Sequence, residues 1–472
     1  MPIKNKIIFV FTLTAFFFSA GLVAVPEVKS ITIQEERELA KEFMEVVKAH
    51  YPLIKDPVIV DYVNKVGQRI LSAMPPQPYE YQFHVLKEDT YNAFATPAGN
   101  IFFNSGLFAA LESEEELAGI LGHEIAHVVC RHISQRIESQ KKIGMATLAG
   151  MVAGVLLGAG GAAEAASAVT VGSMAAGQTA ALAYSRQDER QADQLGLDFL
   201  TKAGYSGEGL LTSLEKIRSK QWYGSAQVPS YLTTHPGSEE RLSYIDNWLH
   251  QNREKTTVRP ETGGFSLAHT RLIALYGDKE PALKRFESEL ASSPDDWMAH
   301  YGYALALTRV DKWDQAAEHM KRAIESNALA THMLQDLGQI YFHGGHYEKA
   351  LQTLSAGSSA QDPKGRLYLG RTLMELGRLA EARDTFEDLV HFHPDQTQAY
   401  YYLGETNGRL GDMFGAHYNL GRFYQQKEDM KNADFHLKRA MKLATDESQR
   451  QMVEQQLKAL KHPDKDKKPG PG

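Results

Sequence analysis

His123 and His127 stand four residues apart in the run LAGILGHEIAHVVCRHI, residues 117–133. On a helix, at about 100° per residue, their imidazoles lie about 40° apart on one face and can grip a single metal ion. Glu124 sits about 100° round from His123, near enough to reach a metal-held water without ligating the metal. Two imidazoles and an adjacent carboxylate at this spacing are the arrangement of HExxH zinc peptidases, in which the histidines hold Zn2+ and the glutamate is the general base. The surroundings fit: Glu115 to Val129 is a stretch of good helix formers with no proline. The plainer reading is a pair of surface histidines on an amphipathic helix.

A catalytic zinc takes three protein ligands and keeps one position open. The run Tyr184 to Tyr205 is again helical in period, and it carries Glu189 and Asp193 four apart on one face. Beside Arg186 and Arg190, such acids ordinarily form a solvated face. Next to an HExxH helix short of its third ligand, they become the carboxylate candidates. His235 precedes Pro236 and so falls in a turn, free to point elsewhere, and Arg241 lies in the helix that Ser238 would cap. On their own these two read as a loop histidine and a surface charge.

The elements that must position these groups predict a mainly α chain with a small β-sheet. Charged helical periodicity runs from Ile33 to Ala49. A second amphipathic helix runs from Val58 to Ala73 and ends at Pro75, Pro76 and Pro78. Tyr81 to Leu86 is β-prone. From Asn92 to Phe108 an extended piece, a turn at Pro97-Ala98-Gly99-Asn100 and the β-prone Ile101-Phe102-Phe103 read as a hairpin or a pair of adjacent strands. This is either ordinary sheet or an edge strand that could bind an extended peptide by main-chain hydrogen bonds. Residues 143–183 are almost wholly Ala, Gly, Val, Leu and Met, with Glu164 the one charge. Three readings are open for them: a membrane-inserted hairpin, a pair of buried helices, or a flap over the site. Gly158, Gly160 and Gly161 break the apolar run short of the roughly 20 residues a span needs. A hairpin or flap that touches a membrane surface at most is therefore favoured.

Beyond a polar linker at 251–264 the pattern changes. Gly302 and Ala316 recur as Gly338 and Ala350, Gly370 and Ala382, and Gly404 and Ala416, with alanine spacings of 34, 32 and 34. This is the tetratricopeptide period, an α-solenoid whose ordinary use is to hold a peptide or protein. A Gly421–Ala433 pair at half the period implies that the last repeats share a helix. The domains expected are a leader at 1–24, a peptidase domain at 25–250, the linker, repeats at 265–460 and a polar tail at 461–472. In the leader, Lys4 and Lys6 precede the apolar run Ile7 to Phe18 and then small residues, the form of an export signal cleaved around Ala20 to Ala24; the rival reading is an uncleaved anchor, since the apolar stretch runs on to Val25. One cysteine among 472 residues excludes an internal disulfide, and a net charge of −7 argues against nucleic acid as a partner.

Three motifs, HEIAH at 123–127, SRQDERQAD with GLDFLTKAGY at 185–205, and THPGSEER at 234–241, occur in that order. With them the chain resembles the family of zinc metallopeptidases that includes the CAAX prenyl protease and the heat-shock membrane protease, and most of all its exported members with tetratricopeptide repeats. The resemblance covers about residues 33 to 460. It implies a gluzincin-type domain with one Zn2+ per chain, held by His123, His127 and Glu189. Glu124 is then the base and later the acid, and Asp193 hydrogen-bonds a ligand histidine. His235 matches a loop histidine that lies over the metal, either blocking it or polarising the substrate carbonyl. Arg241 follows in the same motif, and Asn92 and Ala93 match a substrate-binding edge strand. His132 matches a common family residue. On an unbroken helix it lies half a turn from His123 and should not ligate the same ion. The implied function is a periplasmic endopeptidase acting on misfolded or stalled outer-membrane proteins, with repeats that bind clients or assembly machinery. The alternative is a chaperone or assembly scaffold with occasional proteolysis.

Overall fold

The computed structural model describes residues 31–139, 184–223, 230–252, 263–326, 331–357 and 362–461. The expected leader, the Ala/Gly-rich stretch, most of the linker and the tail from 462 lie outside the described residues. The chain divides into two units, residues 1–260 and 261–472. Among the described residues no helix is long and apolar enough to cross a membrane.

In the first unit, helix α1 (Ile33–His50) starts at a capping box in which Thr32 accepts from the Glu35 N–H and Glu35 reaches back to the Thr32 backbone. Helix α2 (Pro57–Ser72) starts at the Asp56 cap, with Pro57 in the first turn, where its missing N–H is no loss. Four strands, β1 (Leu53–Ile54), β2 (Gln82–Leu86), β3 (Ala93–Ala95) and β4 (Asn100–Asn104), form one sheet in the order β1-β2-β4-β3. Strand β2 runs parallel to β4. Strand β3 is antiparallel to β4, with Ala93 opposite Phe103 and Ala95 opposite Ile101. The turn between them passes through Ala98 and Gly99 at φ 59 and 86, so the two form a hairpin and β3 is an edge strand. Phe43 of α1 packs edge-on to Phe94 and against Phe102, which stack on each other in the core beneath the sheet.

Helices α3 (Ser105–Ala110), α4 (Glu114–Val129), α5 (His132–Ser139), α6 (Arg186–Lys202), α7 (Glu208–Tyr223), α8 (Ser230–Thr234) and α9 (Ser238–Asn252) follow. Helix α4 is the central one. Ser113 caps it and three glutamates fill its first turn, where the helix dipole favours negative charge. From Glu116 to Val128 every residue is buried. Two glycines allow its neighbours to come close. A Cβ on Gly119 would lie 2.4 Å from the backbone nitrogen of Leu210 in α7, and one on Gly196 of α6 would lie 3.1 Å from the carbonyl oxygen of Gly122. Helix α6 therefore crosses α4 at Gly122–His123. Asp193 and Glu189, about one and two turns before Gly196, are carried against the two histidines.

The second unit is helical throughout its described residues: α10 (Gly264–Tyr276), α11 (Lys279–Ser292), α12 (Trp297–Thr308), α13 (Trp313–Ser326), α14 (Thr331–His343), α15 (Tyr347–Gly357), α16 (Pro363–Glu375), α17 (Leu379–Phe392), α18 (Thr397–Leu410), α19 (Met413–Gln426), α20 (Met430–Leu443) and α21 (Glu447–Lys461). The recurrent glycines mark where a partner side chain enters: Leu354 against Gly338 and Phe386 against Gly370. Helix α19 has two partners. Ala416 and Leu420 meet Gly404 of α18, while Gly421 meets Leu437 of α20. It is the second helix of one repeat and the first of the next, which explains the half-period spacing.

Candidate metallopeptidase site

One ligand atom each from His123, His127, Glu189 and His235 lies within 4.8 Å of all the others, and all four residues are buried. The Nε2 atoms of His123 and His127 are 3.0 Å apart. Glu189 spans them, Oε2 at 3.5 Å from His123 Nε2 and Oε1 at 3.4 Å from His127 Nε2. Glu124 lies beside this group, its Oε1 3.4 Å from His235 Nε2.

Each of the three imidazoles is turned by what its Nδ1 meets. His123 Nδ1 donates to Asp193 Oδ1 at 2.8 Å. His127 Nδ1 is 2.9 Å from His132 Nδ1, and His132 Nε2 is 3.3 Å from Gln191 Oε1. With its Nε2–H given to that carbonyl oxygen, His132 accepts at Nδ1 and His127 donates. His235 Nδ1 faces Thr234 Oγ1 at 2.8 Å and the Tyr231 carbonyl at 3.3 Å, while the Thr234 hydroxyl has that same carbonyl to donate to. All three rings thus keep the proton on Nδ1 and turn Nε2 inward, the tautomer a metal needs. Asp193 is held in turn by Arg241, through Nε and Nη2 at 2.8 Å each, and by the Tyr244 hydroxyl. Arg241 also places Nη1 2.6 Å from Glu189 Oε2.

A divalent cation fits this group. Both Glu124 oxygens, Glu189 Oε1 and His235 Nε2 are buried with no hydrogen-bond partner, which is costly unless a charge satisfies them. Burial and Arg241 oppose a proton on His123, but the Asp193 carboxylate outweighs them and raises it to about 9. That proton is what a cation would replace. Burial drives His127 and His235 well below the usual imidazole range, which leaves them neutral as ligands must be. It also pushes the Glu124 carboxyl up to about 7. Nitrogen and carboxylate donors in a group of four suit zinc.

Asn92 and Ala93 lie apart from these ligands, on the edge strand. The Asn92 carbonyl accepts from the Asn104 N–H on the β4 side. The Tyr91 carbonyl, one residue earlier and so facing the open side, accepts from the Tyr231 N–H at 3.1 Å and from Ser230 Oγ at 3.2 Å. Helix α8, which leads into His235, therefore hangs on the edge of β3. Sequence reasoning missed His132 as the partner of His127, because Arg131 takes φ 54 and ends the helix. The half-turn offset of an unbroken helix does not apply, and His132 swings behind His127. It also missed Tyr184, stacked on His127 at 3.8 Å, and Tyr231, stacked on His235 at 4.2 Å. Tyr231 was findable: it stands four residues before His235, at the spacing of neighbours on a helix.

Residues 60–249 match the profile of Peptidase family M48, and residues 306–363, 363–406 and 414–447 match tetratricopeptide repeat profiles. The chain is therefore a metallopeptidase, with an M48 peptidase domain followed by tetratricopeptide repeats. Its relatives include the Beta-barrel assembly-enhancing protease of Escherichia coli (strain K12), 27% identical over 403 residues that cover 81% of this chain and 79% of the relative. The protein of the same name from Yersinia pestis is 28% identical over 316 residues, 66% of this chain and 62% of the relative. The Mitochondrial metalloendopeptidase OMA1 of Schizosaccharomyces pombe is 26% identical over 202 residues, 41% of this chain and 54% of the relative.

Proposed function

We propose that the chain is a zinc-dependent endopeptidase in which His123, His127 and Glu189 hold the metal, Glu124 is the general base, and His235 occupies the fourth position at rest. The observation that carries this reading is the inward set of three Nε2 atoms around Glu189, each fixed by a partner at Nδ1. A zinc ion there would polarise the scissile carbonyl and lower the pKa of its water toward about 7. Glu124 takes the proton of the attacking water and hands it to the leaving amine. Asp193 and Arg241 keep His123 in the tautomer that ligates. To polarise a substrate carbonyl His235 would need a proton on Nε2, whereas here its Nδ1 carries it, which favours the capping role. An extended substrate joining the open edge of β3 would meet the Tyr91 carbonyl that now holds α8, so substrate and the His235 segment compete for one edge.

The test is metal content and peptide cleavage side by side. Glu124→Gln should keep one zinc per chain and lose cleavage by a factor of 100 or more (roughly 10²–10⁴ for a general base). Glu189→Ala should lose the metal itself. His235→Ala should keep zinc on the remaining three ligands. Full zinc in Glu189→Ala, or normal cleavage by Glu124→Gln, would refute the assignment. The chain acts in the cell envelope after export, and its substrates are stalled or misfolded outer-membrane proteins that the repeats help to select, a reading supported by the names of its relatives and by the leader composition. Rescue of an outer-membrane defect by Glu124→Gln would instead favour the scaffold role.

A further inference from the structure

In the repeat unit the guanidinium of Arg371 is held in an aromatic cage. Its central carbon lies 4.5 Å from the ring centre of Phe342, 5.0 Å from Tyr368 and 4.9 Å from Tyr402. These rings come from α14, α16 and α18, the first helices of three successive repeats, which pack side by side. A cation over ring faces is attracted by the ring quadrupole, and three rings also strip much of its water. Several other arginines of the unit have carboxylate or carbonyl partners: Arg271 pairs with Asp336, Arg366 with Asp388, and Arg309 binds the carbonyls of Ala274 and Gly277. Arg371 has none among the described residues. Glu375 stands one turn on, at the spacing that commonly pairs, yet no ion pair forms between them. Arg371 is half-buried, and its nitrogens are not among the buried unpaired atoms, so they reach solvent. Lys364, exposed and in no close ion pair among the described residues though within electrostatic reach of Asp336 and Asp362, lies seven residues earlier on the same stripe of α16, with Tyr368 between them.

We propose that Arg371, backed by Lys364, is the anchor by which the repeats hold an extended acidic segment inside a partner protein: one side-chain carboxylate on the guanidinium edge, a second on the ammonium, and an intervening aromatic or large aliphatic side chain against the rings. This deepens the partner-binding reading of the repeats and does not depend on the metal site. The rings attract the cation without using its N–H groups, and these, open to solvent, are the part of a guanidinium that binds carboxylate in a fork. The two charges are seven helical residues apart, about 10 Å. A segment in the extended polyproline II form rises about 3.1 Å per residue and returns to the same face every three residues, about 9 Å on, so the matched segment has acids at positions i and i+3. The spacing favours side-chain acids within a segment over a single terminal carboxylate.

The experiment measures binding of fluorescein-labelled, carboxy-amidated peptides centred on Glu-Phe-Tyr-Asp to the full chain carrying Glu124→Gln, which prevents their cleavage. Binding should weaken with added salt. Arg371→Gln should weaken it about tenfold, as for loss of one hydrogen bond to a charged group, and Arg371→Lys should not restore it because an ammonium lacks the flat fork. Lys364→Gln, at an exposed position where folding is not at stake, should weaken it about threefold, the loss for an exposed pair. A matched Gln-Phe-Tyr-Asn peptide should bind no better than Arg371→Gln binds the acidic one. The proposal is overturned by equal binding of the amide peptide, by unchanged affinity in both variants, by no binding at all, or by preference for a neutral peptide with a free C-terminal carboxylate. None of these results bears on zinc or cleavage, so the proposal and the peptidase reading fail separately.

Discussion

At the scale of single residues, the site is decided by which nitrogen of each histidine holds a proton. His123, His127 and His235 all meet a partner at Nδ1 and present Nε2. His132 is the least obvious of these partners. It touches no candidate ligand atom, yet it accepts from His127 and is itself fixed by Gln191. Replacing His132 with Ala should leave the fold intact and weaken metal affinity about 10–100-fold, the usual effect of removing such a support. Competition with a chelator of known affinity measures it, and unchanged affinity would mean that Tyr184, stacked on the face of His127, orients the ring alone. The relation of His123, Glu124 and His127 was legible in the sequence, since it follows from helix geometry. The His127–His132 contact was not, because it depends on the left-handed backbone at Arg131.

At the scale of elements, the site exists because α6 can lie close on α4. Gly196 permits this, and a side chain there would press on the Gly122 carbonyl and His123. Gly196→Leu should therefore cost about 1–3 kcal/mol, as overpacked cores do, and should also reduce metal content by moving Glu189 away from the histidines. Thermal unfolding and metal analysis together check this; a destabilised variant with full metal content would show that α6 tilts without losing the ligand. That Glu189 and Asp193 share a face was readable from their spacing. That this face meets α4 was not, because a charged helix beside two arginines reads equally well as solvated. The hairpin of β3 and β4 was foreseen from its turn. The docking of α8 on its open edge, which brings in His235, had no signal of its own.

At the scale of the whole molecule, the repeats carry a buried charge pair that ties their first helices together. Arg271 of α10 and Asp336 of α14 are joined by two hydrogen bonds, with the Tyr301 hydroxyl of α12 on the same guanidinium. Burial alone would raise the Asp336 carboxyl, but Arg271 outweighs it and holds the group below its usual 3.8. A depressed carboxyl favours the folded state above its unfolded value and loses that contribution as pH falls through the folded value. Asp336→Ala should cost about 3–5 kcal/mol at neutral pH, because it takes the countercharge from a buried guanidinium. The difference from the unaltered chain should hold down to about pH 5 and shrink below about pH 4. Denaturant melts of both proteins across this range measure it, and a difference independent of pH would assign the loss to packing.

What the sequence determined by itself is whatever lies within one helix or one repeat. The HExxH triad, the Glu189–Asp193 face and the 32- and 34-residue period are of this kind, since helix geometry relates residues a few positions apart directly. Tertiary structure alone decided which of these faces meet: α6 on α4 through Gly196, α8 on the edge of β3, His132 behind His127, and three rings from three helices around Arg371. The reason is physical. Contacts between distant segments depend on how closely backbones can approach and at what angle they cross. Those are properties of the packed core as a whole, and no local pattern encodes them.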